Sequence, residues 1–229
     1  MMKTRTISDG CGFLAFASRL SALLTAVGIA LSVVALPATT RAADDETVTA
    51  APRQLIDETA DKIVAILARR DEPTETRVGE IEKIAYEIFD FTTMSKLVLA
   101  RNWRGLDSEK RSEFVREFKR HLSRTYGTRL DRYDQEEVDV YGAQVEPRGD
   151  VSVKTRIVGG QFDKAEISYR LRARGEDWRI IDVVIEGVSL VSNYRSQFAE
   201  VLASGTIDDL LAKLRDKNFT VSTDEPEEA

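Results

Sequence analysis

The sequence predicts an α+β domain in which a curved, antiparallel, four-stranded sheet packs against helices. Up to about residue 133, apolar side chains recur at spacings of three and four, which is the period of amphipathic helices. Between residues 137 and 185 the period changes to two, with short turns between successive runs, which is typical of an antiparallel sheet. Helical spacing returns after residue 193. Helices that precede and follow a single sheet favour one domain with the helices packed on that sheet.

The first 42 residues have the features of a secretory signal peptide. Lys3 and Arg5 precede an apolar run over residues 20–36, and the small residues around Ala42 are followed by Asp44. A basic start, an apolar middle and a small-residue exit are the pattern of a cleaved leader. We therefore predict a signal peptide over residues 1–42, cleaved after Ala42, and a periplasmic mature protein. An uncleaved anchor is the alternative, because the run is only slightly shorter than the roughly 20 residues of a spanning helix.

Removal of this leader leaves an acidic chain without thiol chemistry. The chain has 33 basic and 39 acidic residues, and the leader holds four of the basic residues but only one of the acidic residues. The one cysteine, Cys11, also lies in the leader, so the mature protein contains no disulfide. An acidic balance argues against a nucleic-acid partner. We expect residues 43–51 to form a flexible tail, 52–217 one folded domain, and 218–229 a disordered acidic tail.

The longest predicted helix covers residues 108–133 and carries one continuous apolar stripe. The stripe consists of Phe114, Phe118, Leu122, Tyr126, Leu130 and Tyr133, at spacings of four and, once, three. We expect Asp107 or Ser108 to cap this helix. Three shorter helices are predicted before it, the first beginning at Pro52, and two more follow the sheet, the last capped by Thr206.

The predicted strands extend from Glu137 to Ile185. Residues 151–157 and 167–173 alternate apolar and polar side chains, which predicts strands with one covered and one solvated face. The last strand, 178–185, is apolar on both faces and ends at a turn. Such a strand is either covered by helices or lines an internal cavity. Periodicity alone does not distinguish a filled core from a hollow one.

Few residues of this chain suit catalysis. His121 is the only histidine, which argues against a His/Cys metal cluster, and we expect its side chain to be partly exposed on the long helix. Asp182 and Glu186 lie four residues apart, and paired carboxylates can act as acid and base. An acid beside a turn glycine more often accepts hydrogen bonds from backbone N–H groups. We therefore predict no enzyme activity, no metal and no cofactor.

Residues 178–198 carry the most specific pattern in the chain. They contain W-x-x-x-D-V-x-I-E-G-V-S-L-V, which is long and non-repetitive. Two further stretches occur in the matching order, from Phe89 to Trp103 and from Arg111 to Tyr133. With these motifs the chain resembles the MlaC family, also called the toluene-tolerance auxiliary proteins, over roughly residues 52–217.

The resemblance implies both a fold and a function. MlaC proteins are periplasmic, phospholipid-binding components of an ABC transport system, with a nuclear-transport-factor-like sheet against helices and an apolar internal pocket for acyl chains. The resemblance implies a monomeric shuttle between an outer-membrane lipoprotein–porin complex and the inner-membrane Mla transporter complex with its lipid-binding ring, which maintains outer-membrane lipid asymmetry. Phospholipid is then cargo rather than cofactor. A carrier of a hopanoid or another polycyclic lipid stays an alternative, as does an exported hydrolase using Asp182 and Glu186.

Eight residues are the candidate lining of this pocket. The resemblance implies a pocket role for Tyr126 and Val188, with Gly187 forming the bend that turns Val188 inward. Strand alternation and the helix stripe add six more residues, namely Val153, Ile167, Tyr169, Leu171, Phe118 and Leu122. We expect the stripe of the long helix to face the strand residues across the pocket.

Overall fold

The computed structural model describes residues 39–130 and 136–216, and its elements follow the predicted order of helices, sheet and helices. The helices are α1 (Thr39–Leu67), α2 (Thr74–Ile88), α3 (Phe91–Leu99), α4 (Ser108–Leu130), α5 (Leu190–Ser204) and α6 (Ile207–Arg215), with a 3-10 helix, Ala100–Gly105, before α4. The strands are β1 (Glu137–Val145), β2 (Val151–Val158), β3 (Glu166–Arg174), β4 (Asp177–Ile185) and β5 (Val188–Ser189). The predicted α+β class is confirmed. Most of the predicted signal peptide, Tyr133 and the predicted acidic tail lie outside the described residues.

The sheet is antiparallel throughout, with its strands in the order β1-β2-β3-β4-β5. The register shifts between Val140 and Gly142 in β1 and again where β3 pairs with β4, and such bulges bend and twist a sheet. The two-residue strand β5 is a fifth strand, added at the edge of the sheet to the four that the sequence predicts. It forms because β4 turns back through Glu186 and Gly187, whose φ angles of 48° and 80° suit a two-residue hairpin.

Side-chain caps fix the starts of three helices. The Asp107 carboxylate accepts a hydrogen bond from the Lys110 N–H at 2.8 Å, which caps α4 at one of the two positions predicted for it. Thr206 and Asp209 form a reciprocal capping box at the start of α6, where the sequence also predicts a cap. The Ser189 hydroxyl accepts from the Ser192 N–H at 3.0 Å, so α5 begins three residues earlier than the spacing of its apolar residues suggests.

The first helix differs from its prediction. Residues 43–51, expected as a flexible tail, are helical, and Pro52 is a buried residue inside α1 rather than its first residue. The arrangement is stabilised from outside the helix, because the Arg53 guanidinium donates a hydrogen bond to the Val140 carbonyl of β1. Residues 44–51 are small and polar, which suggested a tail, but they contain no glycine or proline to interrupt a helix. Within residues 39–130 and 136–216, no helix combines the length and hydropathy that crossing a bilayer requires.

Two residues of the α4 stripe pack against α5. Phe114 and Phe118 are fully buried, and their rings contact Phe198 of α5 at centroid distances of 5.8 and 5.7 Å. Phe118 also meets Tyr194 edge-on at 5.2 Å. Among the described helices, α1 approaches β1 and β2 most closely. α5 therefore covers this part of the stripe and α1 lies over β1 and β2, while Phe118 and Leu122 of the stripe belong to the same core as Val153 and Leu171 of the sheet.

Candidate functional site

One face of the sheet is mainly apolar across all five strands, and we call it the inner face. Strand pairing aligns its side chains in rows that cross the strands, because directly paired residues project from the same face. The first row consists of Val140, Thr155, Ile167, Ile185 and Val188, and it spans β1 to β5. The second row consists of Ala143, Val153, Tyr169 and Val183. These rows contain most of the strand residues that the sequence predicts as pocket lining.

The structure brings seven of the eight candidate residues to the interior. Phe118, Leu122, Val153 and Leu171 are buried, and Tyr126, Ile167 and Tyr169 are half-buried and pack against the same core. All seven belong to or pack against one core cluster, which also includes residues of α5 and α6. Phe118, Val153 and Leu171 are fully buried in it, so the described conformation leaves no solvent-sized space against these three side chains.

Val188 is the exception. Its pairing with Ile185 puts it on the inner face, and the turn at Gly187 forms as predicted. The side chain nevertheless stays 38% exposed, because β5 is a short edge strand that the described helices do not cover. The predicted bend is present, but it places Val188 at the exposed rim of the apolar face rather than inside it.

Two shallow clefts on the described part of the chain are open to solvent, and neither is lined by any of the eight candidates. The larger, about 670 Å³, lies between α1 and β1, and we call it the α1–β1 cleft. Its lining residues are Asp45, Glu46, Thr49, Ala50, Arg53, Ala143, Gln144 and Val145. Sequence reasoning missed the part of this cleft that α1 forms, because it assigned residues 43–51 to a tail. The Ala143 position in the β1 alternation was the one signal that could have identified the sheet side of this cleft.

Asp182 and Glu186 both accept hydrogen bonds from backbone N–H groups, and Asp182 also accepts one from a hydroxyl. The buried Asp182 carboxylate accepts hydrogen bonds from the Ser189 hydroxyl at 2.7 Å and the Val191 N–H at 3.0 Å. It lies on the outer face beside Arg170, whose guanidinium is 3.6 Å away. The Glu186 carboxylate accepts from the Glu166 N–H and joins the β4–β5 turn to β3. These contacts match the structural role that a turn acid commonly has and use both carboxylates to position the start of α5 and the hairpin.

A comparison with known families identifies the chain. The family model for MlaC protein matches residues 57–216. The chain belongs to the MlaC family. The resemblance that the sequence pattern at residues 178–191 indicates is thereby confirmed.

Individual relatives of this MlaC-family protein are distant. Toluene tolerance protein ttg2D of Pseudomonas putida is 24% identical over 123 residues, which are 53% of this chain and 57% of that protein's length. A phospholipid-binding protein from Ralstonia solanacearum, solved in complex with a phospholipid, has the same fold with a TM-score of 0.64. It is 19% identical, and the match covers 72% of this chain and 96% of that one.

The histidine of this MlaC-family chain is buried rather than partly exposed. His121 is 1% exposed, and its Nε2 lies 3.1 Å from the Tyr194 hydroxyl. The prediction of an exposed ring was wrong because α5 covers this side of α4. Burial, and to a smaller extent the positive charge of Arg124, lowers the pKa of His121 from 6.5 to about 4. Within the described ranges, no group of three or more His, Cys, Asp or Glu residues is arranged to hold a metal ion.

The depressed pKa of His121 predicts a loss of stability in mild acid. The unfolded chain takes up a proton near pH 6.5, whereas the folded chain resists it until about pH 4. His121 therefore does not reduce the free energy of unfolding above pH 6.5. As the pH decreases from 6.5 to 4, the cost of keeping His121 neutral reduces that free energy by about 3 kcal/mol. Urea unfolding at several pH values checks this, with His121→Gln as the comparison. Equal pH dependence in the two proteins would contradict it.

Proposed function

We propose that this protein is a periplasmic phospholipid carrier. The observation that carries the proposal is the inner face of the sheet, which is mainly apolar across all five strands in a chain of the MlaC family. The phospholipid-bound Ralstonia solanacearum protein of the same fold supports phospholipid as the cargo. The export pattern of residues 1–42 supports the periplasm as the compartment.

The burial of the inner face requires the protein to open for its cargo. A two-chain lipid contains on the order of 30 methylenes, each worth about 0.8 kcal/mol on burial, so roughly 25 kcal/mol opposes its release into water. Lipid therefore has to pass directly between the carrier and a membrane or membrane complex. The helices have to move away from the inner face to admit acyl chains, because Val153 and Leu171 are fully buried in the closed conformation.

The Mla system supplies the natural donors and acceptors for such a carrier. We propose that the protein exchanges phospholipid between an outer-membrane lipoprotein–porin complex and the inner-membrane transporter with its lipid-binding ring, as a monomer, and so maintains outer-membrane lipid asymmetry. Membership of the MlaC family supports this assignment. A carrier has no need of catalysis, which agrees with the hydrogen bonds that Asp182 and Glu186 make to the backbone.

Transfer of labelled phospholipid between vesicles tests the proposed function. We expect the purified protein to accelerate transfer from donor to acceptor vesicles in proportion to its concentration, with the lipid recovered intact. Transfer at the rate seen without protein would overturn the proposal. Recovery of lysophospholipid would indicate a hydrolase, and selective transfer of a polycyclic lipid would indicate the hopanoid alternative.

A further inference from the structure

The α1–β1 cleft is continuous with the apolar inner face of the sheet. Ala143 lies in the cleft and is also the first member of the second row, in which it pairs with Val153, and Val153 pairs with Tyr169. Val145, also in the cleft, pairs with Val151 on the same face. The cleft has a volume of about 670 Å³ and is open to solvent. The cleft is therefore the outer end of the surface that we propose to bind acyl chains.

Arg53 joins the cleft to the first row. Its guanidinium donates to the carbonyl of Val140, the residue that begins this row at the β1 bulge. A guanidinium has five N–H donors, so this bond holds the side chain at the cleft and leaves further donors for a ligand. Planar guanidinium groups suit phosphate recognition. Two acids of α1, Asp45 and Glu46, line the same cleft, so it presents both signs of charge.

The dimensions of the sheet fit one acyl chain. Four strand spacings of about 4.8 Å separate β1 from β5, which gives roughly 19 Å across the first row. One leaflet of a bilayer has a hydrocarbon depth of about 15 Å, half of the usual 30 Å core. An acyl chain that starts at Arg53 and follows the first row therefore ends near Ile185 and Val188.

We propose that the α1–β1 cleft is the headgroup site and the access route for a zwitterionic phospholipid. In this arrangement Arg53 binds the phosphate, Asp45 and Glu46 face the headgroup amine, and the acyl chains follow the two rows across the sheet. Movement of α1 away from β1 admits the lipid. This inference rests on the proposed function and adds to it the headgroup position, the lipid orientation and the headgroup class.

Photo-crosslinking with two synthetic phosphatidylethanolamines tests the orientation. We expect a diazirine next to the glycerol end of an acyl chain to label residues 45–53 or 143–145, and a diazirine at the methyl end to label residues 185–188. The reverse pattern, or labelling of neither segment by a bound lipid, would overturn the inference while leaving the carrier function intact. A protein that binds no phosphatidylethanolamine and no other phospholipid would instead refute the proposed function.

Charge substitutions test the headgroup contacts. We expect Arg53→Gln to weaken phosphatidylethanolamine binding about fivefold, as an exposed ion pair implies, while binding of diacylglycerol, which lacks phosphate, stays unchanged. Arg148→Gln is the matched control, because Arg148 is an exposed arginine in the β1–β2 turn outside the cleft. Asp45→Asn combined with Glu46→Gln should reduce the preference for phosphatidylethanolamine over phosphatidylglycerol. If Arg53→Gln weakened the binding of phosphatidylethanolamine and of diacylglycerol equally, Arg53 would not recognise the phosphate.

Discussion

Replacement of Val188 by glutamate is expected to remove copurifying phospholipid while the fold is retained. The valine is 38% exposed at the end of the first row, so a carboxylate there stays solvated in the closed protein and costs little. In the proposed lipid-bound arrangement, the methyl end of an acyl chain covers this position. Burying an unpaired carboxylate against hydrocarbon costs several kcal/mol, and about 3 kcal/mol already lowers the affinity for lipid more than a hundredfold. Mass spectrometry of the lipid extracted from the purified variant measures this loss.

Val158→Glu is the matched control for this substitution. Val158 is a valine of similar exposure, 44%, but it follows the buried Ile157 in β2 and therefore lies on the outer face. We expect this variant to keep its normal phospholipid load. A normal load in Val188→Glu, or equal loss in both variants, would show that the exposed end of the first row does not contact lipid.

Replacement of Asp182 by alanine is expected to reduce the free energy of unfolding by about 2–4 kcal/mol. The substitution leaves the buried Val191 N–H and the Ser189 hydroxyl without their acceptor, and it removes the partner of Arg170. The start of α5 loses its connection to β4, and α5 carries Tyr194 and Phe198 of the aromatic core. Urea denaturation followed by circular dichroism measures the effect.

Two further variants test whether the loss of stability comes from the Asp182 carboxylate or from any substitution in β4. Asp177 lies on the same strand and pairs with Arg179 at 3.1 Å, but its side chain is 69% exposed, so Asp177→Ala should cost less than about 1 kcal/mol. Asp182→Asn keeps an acceptor and should cost less than the alanine variant. If all three variants lost the same stability, the buried carboxylate would not have the role assigned to it.

The strand alternation and the caps of α4 and α6 could be predicted from the sequence because they depend on local spacing. The buried residues Val151, Val153, Thr155 and Ile157 follow the period-two pattern of β2 without exception. Thr206 caps α6 through its own side chain and that of Asp209, three residues away. In both cases the physical cause lies within a few residues of the feature.

The neighbours of each face could not be predicted, because periodicity identifies a buried face but not what covers it. Phe114, Phe118 and Leu122 of the α4 stripe are buried as expected, but Phe118 meets α5, and the same helix covers His121. The helical structure of residues 43–51 depends on contacts with β1 that are distant in sequence, such as the one from Arg53. The exposure of Val188 follows from the position of β5 at the edge of the sheet, which the sequence pattern does not encode.

Native mass spectrometry of the protein purified from its own periplasm tests the central claim most directly. A phospholipid carrier retains its cargo through purification, because roughly 25 kcal/mol opposes release of the acyl chains into water. We expect a species heavier than the mature chain by the mass of one phospholipid, which dissociates on activation to give an intact diacyl lipid. A spectrum that contains only the bare chain, in repeated preparations, would contradict the assignment and indicate that the inner face is simply part of a filled core.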